Sequence, residues 1–211
     1  MLDIKLGAGS FAVVYKARLV QSGAVANQSA REEITEGALK LYSRMPISGG
    51  RFIFQSAEFE QEVKVLTFLG TDACAPARPF VPRLLHYNAA QQWILLSYAG
   101  EQLNASHLRN PHIVRSLVDA VEAVNRFCIH CDLRAANILV HEGERVKIVD
   151  WNLAIAVEEV KKKLFKPRGA LHVRSPGALD AGETDYRYSA KDDLQSLVRA
   201  LYVVHNHVVS V

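Results

Sequence analysis

The sequence predicts an α+β fold in two parts, a β-rich first part with one helix and a mainly helical second part. Two observations support this prediction. The first forty residues combine turn-forming glycines with β-branched and aromatic residues, which is typical of strands. Two stretches of the second half carry apolar residues at helical spacing. We expect the boundary between the parts near Gly100.

The first part begins with strands around a glycine turn. Gly7 and Gly9 precede Val13–Tyr15, and the polar stretch "QSGAVANQSAREEITEG" predicts a long loop. A short strand, "ALKLY", then carries Lys40, and "SRMPISGG" reads as another loop. Ser56–Leu69 has apolar residues near helical spacing, which predicts an amphipathic helix.

The second part is expected to follow a buried strand, "WILLSY". Asn110 can cap the helix of "NPHIVRSLVDAVEAVNRF" and Pro111 suits its first position, before an apolar stripe formed by Ile113, Leu117, Val121 and Val124. "ILVHEGERVKIVDW" predicts two short strands joined by a polar turn, and "KDDLQSLVRALYVV" predicts a second apolar helix.

Composition narrows the class of protein. The 211 residues are 49% hydrophobic and 22% charged, as in ordinary globular domains, and the net charge of +3 is too small to indicate a nucleic-acid partner. We see no apolar run of about 20 residues and no secretory signal. The three cysteines do not suggest a disulfide framework. We therefore expect a cytoplasmic protein with no membrane partner.

Cys128 and Cys131 form the C-x-x-C sequence "CIHC". A zinc site would need a second such pair, and the sequence has none. A part-buried thiol pair beside a functional loop is the favoured interpretation, with a metal or redox role as the alternative.

Seven segments occur in an order that resembles the eukaryotic protein-kinase family: "GAGSFAVVYKA", "GALK", "ILLSYAGEQL", "HCDLRAAN", "VKIVDWNLA", "SPGAL" and "KDDLQSLVRAL". The order is far more specific than any one segment. The resemblance runs from about Leu6 to the last helix, which is most similar to casein-kinase-like proteins. It implies a bilobal kinase-like domain over 1–211, with an N-lobe at about 1–96, a hinge at about 97–101 and a truncated, mainly helical C-lobe at about 102–211.

The resemblance implies an ATP site. Gly7 and Gly9 correspond to the loop over the phosphates, where Ala12 replaces the third glycine. Lys40 would contact the α- and β-phosphates, and Glu62 best fits its helix partner, two neighbouring glutamates being alternatives.

Adenine would lie at the hinge, with Leu96 as gatekeeper and the backbone groups of Ser97 and Ala99 as hydrogen-bonding partners. The residues that would cover its faces are Val14, Ala38 and Leu139.

"HCDLRAAN" resembles the catalytic loop, so Asp132 would accept the proton of the incoming hydroxyl and Arg134 would face the transferring phosphoryl group. Asn137 and Asp150 would bind Mg²⁺, a hard ion that prefers oxygen ligands. Two residues after Asp150 depart from the D-F-G pattern, since Trp151 and Asn152 replace Phe and Gly.

Three further features carry expectations. Asp193 fits the acid that bonds the backbone of the catalytic loop, and Gly177 replaces the Glu of A-P-E. We expect the later helices of the lobe to be missing, so that the apolar face of "LVRALYVV" causes self-association, needs a covering partner or lowers stability. Cys131 replaces the Arg that captures an activation-loop phosphate, so activity should not need that modification.

The basic run in "VEEVKKKLFKPR" is expected to be a solvated face with Glu–Lys pairs, contact with an acidic substrate being the alternative.

The expected function is transfer of the γ-phosphoryl group of Mg-ATP to a hydroxyl of a protein substrate, on Ser/Thr or on Tyr. One alternative is a small-molecule kinase of the aminoglycoside or choline kinase type, which "DWN" favours. The other is a nucleotide-binding pseudokinase scaffold with weak or lost activity, which the substituted glycines favour.

Overall fold

The computed structural model describes residues 2–8, 12–21, 33–42, 44–47, 51–54, 56–142 and 145–206. The strands within these ranges are β1 Leu2–Ala8, β2 Ala12–Gln21, β3 Glu33–Tyr42, β4 Arg44–Ile47, β5 Arg51–Phe54, β6 Leu84–Asn88, β7 Trp93–Ser97, β8 Glu101–Gln102, β9 Cys128–Ile129, β10 Ile138–His141, β11 Arg145–Ile148 and β12 Ile155–Ala156. The α-helices are α1 Ser56–Leu69, α2 Pro111–Val124, α3 Val157–Lys162, α4 Pro176–Asp180 and α5 Ala190–Asn206. Strands before mainly helices confirm the predicted α+β class.

The chain forms two compact units. The first comprises residues 1–59 and 83–98, and the second comprises 60–82 and 99–211. The lobe boundaries expected from the sequence stay a prediction.

The first unit is built on a five-stranded antiparallel sheet in the order β1-β2-β3-β7-β6. Its core includes Tyr42 and Phe59, whose rings pack edge to face with centroids 5.5 Å apart. Phe59 also contacts the ring of Tyr87 at 6.4 Å, so the start of α1 covers aromatic side chains of this unit.

Strands extend into two segments of the first unit that were predicted to be loops; the rest of these segments, residues 22–32, 43 and 48–50, lies outside the described residues. β3 begins at Glu33, well before "ALKLY", because its polar start pairs in register with the end of β2, where Glu33 lies opposite Gln21. The segment expected to be a loop contains β4, which pairs with β5 as an antiparallel hairpin. Pro46 lies within β4 and disfavours a strand, which is why the sequence pattern missed it.

The second unit contains the predicted helix α2 with its predicted cap. The side chain of Asn110 accepts a hydrogen bond from the N–H of His112 at 2.9 Å, and Pro111 occupies the first turn. All four residues of the predicted stripe are buried. The remaining framework is a three-stranded sheet in the order β11-β10-β8 and the long helix α5.

α3 and α4 are too short to leave a periodic pattern and were not predicted. Across the residues that the structure describes, no helix combines the length and the hydropathy that crossing a bilayer would require.

Candidate active site

The first unit collects predicted nucleotide residues on one face of its sheet. Gly7 lies opposite Val14, and Val14 lies opposite Lys40 on the next strand. Ala38 lies two residues before Lys40 and opposite Leu96. Since cross-strand partners and residues two apart share a face, all five project from the same side of the sheet.

Ser97 ends β7 beside this face. Its N–H donates to the carbonyl of Arg83 at 2.9 Å, and its hydroxyl accepts from the N–H of Arg83 at 2.9 Å. The sheet therefore occupies the N–H of Ser97. Gly9 lies outside the described residues.

Lys40 is buried in the first unit, with its Nζ atom 5.1 Å from the centre of the Tyr42 ring. Glu62 belongs to the second unit and is fully buried, with its Oε1 atom 3.4 Å from the backbone nitrogen of Trp151. Lys40 and Glu62 belong to different units, so the Lys40–Glu62 pair stays a prediction. Ala99 and Leu139 lie in the second unit, Ala99 buried and Leu139 within β10.

One buried carboxylate, that of Asp193, anchors the backbone of the catalytic-loop segment. Asp193, near the start of α5, accepts hydrogen bonds from the N–H groups of His130 at 2.7 Å and Cys131 at 3.0 Å. Burial raises the pKa of Asp193 to about 6, with His130 and both backbone bonds opposing the shift. Cys131 has a φ of +68°, a conformation unusual for a residue with a side chain, so this anchor fixes a backbone that the chain would not adopt alone.

Both carboxylate oxygens of Asp132 have neighbours. Oδ1 accepts from the N–H of Ala170 at 2.9 Å, and Oδ2 accepts from the Nδ2 of Asn137 at 3.2 Å. Asn137 also donates to the Asp132 carbonyl at 2.9 Å. The Nε of Arg134 approaches Oδ2 at 3.3 Å, an ion-pair distance without the alignment of a hydrogen bond. Asp132, Arg134 and Asn137 are therefore brought together.

The β10–β11 hairpin places the predicted metal ligands at one end. Ile138 pairs with Ile148, and the N–H of Val149 donates to the carbonyl of Asn137 at 3.0 Å. Asn137 directly precedes β10, and Asp150 comes two residues after β11. The two residues therefore lie close in the fold.

Asp150 adopts a left-handed conformation, with φ of +70°, which turns the chain sharply into Trp151. Trp151 is fully buried, donates from Nε1 to the carbonyl of Ile148 at 2.9 Å, and packs edge to face against His130 at 4.7 Å. The large ring at the Phe position thus helps to hold the catalytic loop.

A family comparison of the sequence matches the part of the chain that contains Asp132, Asn137 and Asp150. Residues 1–183 match the sequence model of the family "Protein tyrosine and serine/threonine kinase". The chain belongs to this protein kinase family. It is also similar to "Cell division control protein 2 homolog 1" from Trypanosoma brucei brucei, with 29% identity over 191 residues that cover 86% of this chain. The chain spans 57% of the length of that curated relative.

The residues of this protein kinase chain fit the family's use of magnesium. The described part of the chain contains no cluster of three or more His, Cys, Asp or Glu suited to a metal. Mg²⁺ sites in kinases need only one or two protein ligands, since phosphates and water supply the rest. The Nδ2 of Asn137 donates to Asp132, so its Oδ1 is the atom suited to a hard cation.

The segment between Asp150 and α5 packs on the catalytic loop through six buried side chains, which we call the apolar cluster: Ile129, Cys131, Ile155, Val160, Phe165 and Tyr188. Phe165 forms a β-bridge with Tyr186, and the N–H of Arg168 donates to the Tyr188 hydroxyl at 2.5 Å. In this protein kinase Cys131 is therefore an apolar contact and not a phosphate receptor.

Much of the basic run is paired with acidic residues. Lys161 pairs with Glu158 at 2.6 Å, and Lys166 pairs with Asp185 at 3.2 Å. The hydrogen bond from Lys64 holds the pKa of the Glu159 carboxyl below its ordinary value, and Lys163, 3.9 Å from Glu159, adds to this effect. These pairs agree with the solvated face that the sequence predicted.

The two thiols of "CIHC" are buried, and their raised pKa values disfavour the reactive thiolate form. Burial raises the pKa of Cys128 to about 12 and raises that of Cys131 as well. Burial therefore argues against the redox interpretation.

Sequence reasoning missed Gly169 and Ala170. Gly169 has a φ of +77°, and a Cβ there would lie 2.2 Å from the carbonyl oxygen of Cys131. Glycine is required at this close approach, which delivers the N–H of Ala170 to Asp132. The sequence signal was a glycine after a basic segment, and this signal does not show that the glycine approaches Cys131 or that the next N–H bonds Asp132.

Proposed function

We propose that this protein kinase chain moves the γ-phosphoryl group of ATP to a hydroxyl group on a protein substrate, on Ser/Thr or on Tyr. The observation that carries this proposal is the carboxylate of Asp132, oriented through both oxygens by Ala170 and Asn137. A base that accepts a hydroxyl proton must hold a fixed direction, and this arrangement supports that role.

The nucleotide is proposed to bind along the sheet face that carries Gly7, Val14, Ala38, Lys40 and Leu96. Apolar side chains there would cover adenine, and the Lys40 ammonium would contact phosphate oxygens. Gly9, Glu62, Ser97, Ala99 and Leu139 complete the proposed site by position within the family motifs.

Asn137 and Asp150 are the proposed ligands of Mg²⁺, which when bound would offset negative charge on the phosphate oxygens. The chain's own part is to keep these two side chains at one end of the β10–β11 hairpin. Arg134 lies beside Asp132 and is proposed to face the transferring group.

A small-molecule acceptor is the second candidate, and Trp151 with Asn152 after Asp150 favours it. A scaffold without catalysis is the third, favoured by Ala12 and Gly177. The joint presence of the proposed base and metal ligands argues against a scaffold, because binding alone does not need a positioned base.

The proposed partner is a protein substrate. We also expect self-association or marginal stability, because α5 exposes Val198, Tyr202 and Val203. Light scattering and melting curves would check this, and a stable monomer would contradict it.

The central experiment compares Asp132→Asn and Asp150→Asn with the parent, offering peptide and small-molecule acceptors side by side. Loss of a positioned base should lower turnover by about 10²- to 10⁴-fold in Asp132→Asn, with nucleotide affinity nearly unchanged. Asp150→Asn should weaken Mg-ATP binding as well. The control is Asp119→Asn, the same change on the exposed side of α2.

Equal turnover in Asp132→Asn and the parent would overturn the assignment of the base. A parent that binds ATP without turning over would favour the scaffold, and turnover with small acceptors alone would favour the second candidate. Phosphoamino-acid identification would then distinguish Ser/Thr from Tyr.

A further inference from the structure

The carboxylate of Asp192 serves two different parts of the second unit, one with each oxygen. It is buried at 4% exposure, directly before the catalytic-loop anchor Asp193. Its Oδ2 accepts from the N–H of Ser189 at 2.7 Å and from the Ser189 hydroxyl at 3.1 Å. Ser189 directly precedes α5, so the bond from its N–H is one half of a capping box, an ordinary structural role.

The second oxygen, Oδ1, is not needed for capping. It accepts hydrogen bonds from the hydroxyl of Ser175 and from the hydroxyl of Tyr186, the latter at 2.8 Å. Ser175 is itself the N-cap of α4, where its hydroxyl accepts from the N–H of Ala178 at 3.2 Å. Asp192 therefore ties α4 and the Tyr186 segment to α5.

Two more residues of α5 hold the same segment. The hydroxyl of Ser196 donates to the carbonyl of Val173 at 2.6 Å, and the guanidinium of Arg199 donates to the carbonyl of Arg174. Asp192, Ser196 and Arg199 follow i, i+4, i+7 spacing and so lie on one face of the helix. This face fixes the chain immediately after Ala170.

The absence of a side chain at Gly177 leaves room for Tyr186. A Cβ on Gly177 would lie 2.9 Å from the hydroxyl oxygen of Tyr186. The ring of Tyr186 thus occupies the space into which a side chain at position 177 would extend. The hydroxyl bonds of Asp192 and the small residue at 177 form one compatible arrangement.

We propose that Asp192 is a positioning residue for phosphoryl transfer, acting through Ser175 and Tyr186 to hold the segment whose Ala170 N–H orients Asp132. This inference rests on the proposed function. The neighbouring carboxylates of α5 then have complementary roles. Asp193 fixes the loop that carries the base, and Asp192 fixes the segment whose Ala170 N–H donates to the base.

The test removes the Oδ1 bonds and leaves the bonds between Asp192 and Ser189 intact. Ser175→Ala also removes the N-cap bond of α4, whereas Tyr186→Phe removes an Oδ1 bond alone. Tyr186→Phe and Ser175→Ala, singly and together, would be compared with the parent and with Tyr202→Phe, which makes the same chemical change at an exposed position of α5. Gly177→Ala is an independent variant, since its new methyl group must displace the Tyr186 hydroxyl. Peptide KM, kcat, Mg-ATP affinity, melting temperature and amide exchange of 169–175 would be measured.

Tyr186→Phe should raise the peptide KM or lower kcat by about 10- to 150-fold if the whole of one hydrogen bond to a buried carboxylate is expressed in the kinetics. Mg-ATP affinity should stay at the parent's value, amide exchange at 169–175 should rise, and Gly177→Ala should reproduce both effects. Parental kinetics and exchange in Tyr186→Phe, or an equal loss of nucleotide affinity, would overturn the proposal.

Amide exchange needs no turnover. A parent without phosphoryl transfer would therefore refute the proposed function, while the hold of Asp192 on 169–175 would still be decided by exchange in the variants. Faster exchange in them would support that hold, and unchanged exchange would overturn it.

Discussion

Replacing Asp193 by Asn should separate activity from stability. The Asp193 carboxylate accepts two backbone hydrogen bonds, from His130 and Cys131, in a fully buried site. Asn has nearly the same shape but only one acceptor atom, and its NH₂ group would face one of the two N–H donors. The variant therefore loses one anchor of the loop that carries Asp132.

Two opposing effects set the expected change in stability. Asn leaves one buried backbone N–H without an acceptor, which costs about 1–3 kcal/mol. Burial raises the pKa of Asp193 from 3.8 to about 6. Removing the ionised form at neutral pH therefore relieves on the order of 3 kcal/mol. The net change should stay within about 2 kcal/mol, or about 8 °C in melting temperature for a chain of this size.

Relief of the buried charge offsets the loss of stability in Asp193→Asn, but it does not restore the position of Asp132. Displacing a catalytic group by about 1 Å can cost about 10²-fold in rate. We expect Asp193→Asn to lower kcat by at least about 10²-fold while melting close to the parent. Asp193→Ala should melt lower than Asn, because it leaves both N–H groups without the carboxylate.

The pH dependence has a definite sign. As pH falls below about 6, Asp193 gains a proton and loses acceptor capacity, so turnover should fall. Because the pKa in the folded state lies above the ordinary value of 3.8, the stabilising contribution of this group is full below that value and is lost as pH rises through about 6. Between these values acid should therefore reduce activity without unfolding through Asp193. His130 and Asp192 face this group and shift its pKa in opposite directions.

The assays are peptide phosphorylation and melting between pH 5 and pH 7.5, with Asp119→Asn as the control. Asp119 pairs with Arg115 at 3.0 Å on an exposed helix face, and its loss should change stability by less than about 1 kcal/mol. Parental kcat in Asp193→Asn would refute the anchoring argument. A drop in melting temperature well beyond about 8 °C would refute the calculated balance.

Three further outcomes are expected. Gly169→Ala should lower turnover without weakening Mg-ATP binding. The control, Gly182→Ala, also lies at positive φ but would have no neighbour within 4 Å of its Cβ, so it should affect turnover far less. Equal kinetics in the two variants would contradict the close-approach argument. The native protein should react with a thiol reagent only after unfolding, because Cys74, Cys128 and Cys131 are buried; rapid native labelling would contradict this. Phosphatase treatment should leave turnover unchanged, since apolar packing orders the segment between Asp150 and α5, which is the activation segment of the kinase family. Abolished turnover would contradict this expectation.

The sequence was most informative where a local pattern has one structural solution. The cap at Asn110, the proline after it and the apolar stripe of α2 predicted that helix and its buried face. The order of family motifs predicted which residues would gather around Asp132, because the family fold defines their places. The hydrogen bonds of Asp193 to the catalytic loop also agree with the role expected for that acid.

Contacts between distant segments were not predictable in the same way. Nothing in "RGALHVRSPG" indicates that the Ala170 N–H meets Asp132, or that Ser175 and Tyr186 share an oxygen of Asp192. The β4–β5 hairpin was missed because a proline and a short length remove the usual strand signal. In each case the partner lies elsewhere in the chain and determines the conformation.

The departures from the family motifs have a common physical consequence. Cys131 replaces a cation and joins the apolar cluster, while Gly177 replaces an anion and makes room for Tyr186. The first change removes a charge from the catalytic loop, and the second removes one from the activation segment. Buried packing and hydroxyl bonds to Asp192 hold that segment instead. Interactions of this kind need no added phosphate. An activation segment held in this way would present Ala170 to Asp132 in the unmodified chain. We therefore expect regulation to act on a step other than the ordering of this segment.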